Sequence, residues 1–153
     1  MKMDGDIRVQ TDNRFTKLYN DLKSRTGGDF HEVFFSCACL AFSRKKRKPL
    51  GKGGGDRFWS KTITPREWAC YYSIILSENN MDFNLVQDDN EVISTIEEYA
   101  NAGMGILIDE FLKDYLLGKQ DEPQLDSTCA KELPKNLLHF LFDQTAIHDG
   151  NIT

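Results

Sequence analysis

Apolar positions recur at three- and four-residue steps in five stretches of the chain, the spacing that lines one face of an α-helix. The first helix is predicted over 13–25, where Phe15, Leu18, Tyr19 and Leu22 share a face and Gly27-Gly28 supply the stop. A second opens with Asp29 as N-cap and Glu32 three residues later, a capping-box arrangement, and runs to about Ser43. Phe30, Val33, Phe34, Cys37, Ala38 and Ala41 form its stripe, while Phe35, Cys39, Leu40 and Phe42 fill much of the remaining circumference. A helix apolar nearly all round belongs at the centre of a domain.

The third helix has the clearest start. Thr64 is its N-cap, Pro65 sits at the first helical position, Glu67 completes a capping box, and Ile63 can staple onto Trp68. It is predicted to continue through Tyr72 and Ile75 to about Glu78, with Asn79-Asn80 ending it. Residues 81–89 read as a linker containing a short extended piece at 83–86. A fourth helix is predicted from Asp89 to Leu117, its stripe passing through Val92, Ile96, Tyr99, Ala100, Gly103, Leu107, Phe111 and Tyr115, with Gly118 as the stop. Gly103 and Gly105 each cost roughly 1 kcal/mol inside a helix, so they either break it in two or admit another backbone. After a polar linker, a last helix is predicted over 134–146 with Leu137, Leu138, Leu141 and Phe142. No internal repeat interrupts this order. The expected fold is mainly α: a single compact domain of about five helices with a Gly-rich basic loop. Its expected parts are a flexible N-terminal segment (1–12), a helical core (13–118) carrying the basic loop 44–61, and a linker with a C-terminal helix (119–153) packed on the same domain.

Composition adds limits. A length of 153 residues suits one domain that buries enough surface to fold without disulfides or metal. No apolar run approaches the roughly 18 residues that would span a bilayer, so no membrane association is expected. Met1 to Asp6 carries charges and no apolar core, unlike a signal peptide. Cys37, Cys39, Cys70 and Cys129 lack paired metal-ligand spacing and read as core thiols of a cytoplasmic protein.

Charge changes the picture more. The net charge is −5. Segment 44–61, however, holds Arg44, Lys45, Lys46, Arg47, Lys48, Lys52, Arg57 and Lys61 against the single acid Asp56, a formal +7, which leaves −12 on the rest. One or two cations at the end of the second helix would offset its dipole, and five in a row exceed that need. The glycines that follow uncover backbone N–H groups and let the main chain approach a phosphate. The segment therefore reads first as a nucleic-acid phosphate contact, with a solvated loop or a docking site for an acidic protein as alternatives. Phe58 and Trp59 could stack on a base, but core packing is the expectation for Trp59. The stretch around Tyr99, Asn101, Gly103 and Met104 offers a small-residue strip that serves either packing within the domain or a subunit interface.

Catalytic signatures are not found. Gly51-Lys52 is followed by Gly53 where a P-loop needs Ser or Thr. His31, His139 and His148 form no metal pair, and Glu97, Glu98, Asp109 and Glu110 read as a solvated polar face. The expectation is a non-enzyme with no cofactor and no metal.

Two phrases carry a resemblance. Leu22-Lys23-Ser24-Arg25-Thr26-Gly27 followed by a Cys/Ala-rich apolar helix resembles the small helical DndE proteins of bacterial DNA phosphorothioation systems. Glu97-Glu98-Tyr99-Ala100-Asn101-Ala102-Gly103 is similar to a phosphorothioation-associated accessory protein, a group in which an apolar helix, a basic segment and Pro-Leu are expected, as in Phe34 to Leu50. The resemblance spans roughly 14–117. It implies a helical, oligomeric accessory subunit that binds DNA in phage defence, alongside other proteins of the modification or restriction machinery. A His- and Arg-containing stretch of the DndE core is replaced by Glu98-Tyr99-Ala100-Asn101, which favours an accessory relative over DndE itself.

Overall fold

The computed structural model of the protein describes residues 6–51, 54–117, 121–126 and 131–150, with side chains described as far as residue 144. In chain order the elements are strand β1 (Arg8–Asp12), helices α1 (Thr16–Thr26) and α2 (Phe30–Ser43), strand β2 (Gly54–Trp59), and helices α3 (Pro65–Glu78), α4 (Asp89–Glu110) and α5 (Leu133–Gly150). The fold is mainly α, with five helices and a small two-stranded sheet among the described residues.

The local start and stop signals act as their chemistry dictates. Glu32 Oε1 accepts the Asp29 N–H at 2.9 Å and closes the box at the head of α2. At the head of α3, Thr64 Oγ1 accepts the Glu67 N–H at 3.1 Å while Glu67 Oε1 accepts the Thr64 N–H at 2.9 Å. Gly27 ends α1 with φ of 75°, a left-handed conformation that costs glycine nothing. His31 then joins the two helix starts, its Nδ1 lying 2.9 Å from Glu67 Oε1.

Helix α2 lies at the centre and packs most extensively on α4. Their closest approach is at Gly103, where a Cβ would sit 1.8 Å from the Cys37 carbonyl oxygen. The two helix glycines thus do not divide α4, which runs unbroken for 22 residues. It does stop short of Leu117, giving way to a 3-10 turn at Leu112–Tyr115. Phe34, Tyr19, Tyr71, Tyr99, Ile96 and Met104 are fully buried around this crossing.

Several expectations are corrected. Residues 8–12, read as flexible, form β1, because Val9 and Thr11 alternate inward against the helices. β1 pairs antiparallel with β2, so the basic loop contains a strand. Phe83–Val86 is a 3-10 turn rather than an extended piece, started by Asp82, whose Oδ1 accepts the Asn84 N–H at 3.0 Å. The described part of the polar linker is stitched down: Leu117 N–H donates to Gln124 O, and buried Leu125 donates its N–H to Asp21 Oδ2. Gly118 lies outside the described residues.

Candidate nucleic-acid interface

The basic segment begins where α2 ends. Arg44 is the C-cap, the Lys45 N–H donates to Phe42 O at 3.0 Å, and the Lys46 N–H to Ala41 O at 2.9 Å. This pair of bonds closes the last carbonyls of the helix around a left-handed residue, a position usually given to glycine. Here it is Lys45, with φ of 53°. The chain then doubles back along α4. Lys48 N–H donates to Glu98 O at 3.1 Å, and Asn101 Nδ2 donates to both Lys48 O and Pro49 O, at 3.2 and 3.0 Å. Beyond the turn, Gly51 N–H donates to Asp12 Oδ2 at 3.2 Å, tying the loop to the sheet. The turn is a pinned structure.

Its cations fall into two chemical groups. The guanidinium of Arg44 makes a two-pronged contact with Glu110, at 2.6 and 2.7 Å, and also donates to Gln144 Oε1 on α5. That bonding raises the Arg44 pKa and lowers the Glu110 carboxyl. Arg47 donates to Glu98 Oε1 at 3.2 and 2.9 Å and lies over the Tyr99 ring, 5.4 Å from its centroid. Both arginines are therefore spent on holding the turn. Lys45, Lys46 and Lys48 are exposed, and no ion pair engages them among the described residues. Lys52 lies outside the described residues.

Of the other predicted phosphate contacts, Arg57 is corrected. Arg57 is only 8% exposed. The register slips between Val9 and Gln10, where Val9 faces Phe58 and Gln10 faces Asp56, leaving Arg57 as the extra residue of a bulge. That turns Arg57 inward beside Phe58. There it donates to Thr11 Oγ1 and Thr16 Oγ1 at 3.0 and 2.8 Å, and it lies over the Tyr19 and Phe30 rings. Burial lowers its pKa. It is a structural cation, out of reach of a surface ligand. Lys61 is exposed and sits 3.5 Å from Asp6. Lys17 pairs with Asp21, and Lys23 covers Phe30 at the opposite end of α2, about 20 Å of helix from the turn, so Lys23 does not extend the patch.

The expected interface strip is also relocated. Tyr99, Asn101, Gly103 and Met104 are buried inside the domain, against α2 and the basic turn. Packing of the chain on itself consumes them, so they are not available to another subunit. The acids read as a solvated face are mostly engaged as well: Glu98 and Glu110 hold the two arginines, and Glu97 Oε2 accepts the Gln10 N–H of β1 at 2.7 Å. Burial pushes the Glu97 carboxyl up to about 7. Asp109 alone of the four remains an exposed acid without a described partner. Burial also pushes the Cys37 and Cys39 thiols up to about 12, which leaves them protonated and unreactive at neutral pH. Cys129 lies outside the described residues.

Sequence reasoning missed Trp59. Expected in the core, it is 41% exposed, and the Arg8 guanidinium lies 4.4 Å from its ring centroid. The alternation of a strand after a bulge was the missing signal, since Phe58 takes the inward position. No helix among the described residues is long and apolar enough to cross a membrane. No family model, no curated protein and no solved structure matches the chain.

Proposed function

We propose that this chain is a non-catalytic nucleic-acid-binding subunit that grips DNA phosphates through Lys45, Lys46 and Lys48. One observation carries the reading: three exposed lysines, without acidic partners among the described residues, stand on a backbone turn pinned by Asn101, Glu98 and Asp12. Lysine ammonium groups are point charges suited to phosphate, and they lack the planar fork that reads a base edge. The acidic remainder of the molecule repels a polyanion elsewhere and confines contact to that face. The resemblance to phosphorothioation proteins supplies the setting, an accessory role in cytoplasmic phage defence beside DNA modification or restriction. In that setting the partners are DNA and other defence proteins.

Changing Lys45, Lys46 and Lys48 together to Gln tests this. Affinity for any DNA sequence should drop uniformly, and the slope of log K against log salt should flatten by about 2 to 3. A native protein that binds neither duplex nor single-stranded DNA at about 50 mM salt overturns the reading.

A second reading, an adaptor within such a complex, is favoured by a different surface. Leu138 and Phe142 are exposed on α5, beside an apolar groove of about 240 Å³ between α1, α2 and α5. A complex insensitive to salt and lost in Leu138→Asp, formed by a protein that does not bind DNA, would support the adaptor over the DNA subunit.

A further inference from the structure

Trp59 lies at the far end of the same segment as the three lysines and plays no part in their grip. We infer that its indole is a stacking platform for a base of single-stranded nucleic acid, the strand's phosphates lying on the Lys45–Lys48 turn. The inference rests on the nucleic-acid reading above and adds what the protein selects: an unpaired strand.

The bulge at Arg57 decides which side chains face outward. Arg57 and Phe58 both turn in, Phe58 to 7% exposure, and Trp59 next to it turns out. A tryptophan is large enough to reward burial, so exposing one on a short strand forfeits apolar stabilisation. The ring is also fixed in place. Arg8 is its cross-strand partner, the guanidinium covers it at 4.4 Å, and Arg8 Nε is held 3.4 Å from Asp56 Oδ2. Gln10 Nε2 donates to the same Asp56 at 3.2 Å. The indole is thus pre-organised and loses little freedom when a base joins the stack.

The surroundings of Trp59 divide the work. Arg8 faces Asp56 and Lys61 faces Asp6, so this end of the sheet is close to neutral and offers stacking rather than charge. The exposed lysines lie toward the other end, because the Gly51 loop that follows them is tied to Asp12, the strand partner of Gly54. Five residue steps of β2, about 17 Å, separate the two ends. Phosphates held on the lysine turn and a base laid on Trp59 belong to one short strand running along the sheet. In a duplex the faces of the bases are already stacked, so an indole gains nothing from it.

The competing assignment is that Arg8 and Trp59 only brace the sheet. Fluorescence separates the two. In Trp68→Phe, the emission comes from Trp59 alone, because the chain has two tryptophans. Titration with an oligothymidylate at low salt should quench that emission saturably, and a duplex of equal length should not. In the otherwise native protein, Trp59→Leu should weaken oligothymidylate binding about five- to 150-fold while leaving duplex affinity within about twofold. Trp59→Phe should restore part of it. Should Trp68→Phe fail to fold, the same quenching is read in the native protein against Trp59→Phe. Binding of the single strand without quenching, or equal losses for single strand and duplex in Trp59→Leu, overturns the stacking site and leaves the phosphate reading standing. Absence of any binding by the native protein overturns both.

Discussion

Lys45 concentrates the tension between stability and charge at a single residue. Its φ of 53° places a Cβ-bearing residue at a position where glycine closes many helices, at a cost of about 1 kcal/mol. Glycine there would keep both backbone bonds that close α2 and lose one of the three exposed lysines. Lys45→Gly should therefore stabilise the fold by about 0.5 to 1 kcal/mol, read as a higher midpoint in urea, while weakening DNA binding and its salt dependence. Lys45→Ala should lose the same binding without the stability gain. Equal stability for the two variants would show that the left-handed backbone is unstrained. The basic composition of this site was legible in the sequence because a charge run needs no structural context. Which cations stay free was not legible, because the acids that neutralise Arg44 and Arg47 lie 66 and 51 residues away on α4.

Among the elements, those defined by local chemistry were the ones readable in advance. The boxes at Asp29–Glu32 and Thr64–Glu67 span three residues each, and the stripe of α2 lies within one helix, so neighbours in sequence decide them. β1 and β2 are different. Their pairing joins residues about 45 positions apart, and the bulge that buries Arg57 and exposes Trp59 exists only once they pair. Helix α4 shows the same division within one element, since its two glycines looked alike in the sequence. At Gly103 an added methyl would meet the Cys37 backbone at 1.8 Å, and backbone cannot swing aside. At Gly105 nothing lies within 4 Å. Gly103→Ala should cost at least about 3 kcal/mol, whereas Gly105→Ala should gain about 0.5 to 1 kcal/mol from helix propensity. Chemical denaturation of the pair checks both signs, and similar effects at the two positions would refute the close crossing.

For the whole molecule, the acidic body is where pH enters. Glu97 ties β1 to α4 through the Gln10 N–H, and burial holds its carboxyl near 7 against an ordinary value of 4.5. The native state then keeps a proton that the unfolded chain has released, throughout the interval between those two values. Protons bound more tightly by the native state mean stability that falls as pH rises from about 4.5 to about 7 and levels off above. Glu110 acts in the opposite sense, because Arg44 lowers its carboxyl and its contribution is lost as pH falls. A raw stability curve mixes the two, and the difference between a variant and the native protein isolates one. Glu97→Gln keeps a carbonyl oxygen for the Gln10 N–H and removes the titrating group. Above pH 7.5 it should be more stable than the native protein by about 1 to 2 kcal/mol, the screened equivalent of the shift for a partly buried group. At pH 4 the two should nearly coincide. Urea midpoints taken at several pH values decide it, and a stability difference that stays constant from pH 4 to pH 8 would mean that Glu97 does not keep its proton in the fold.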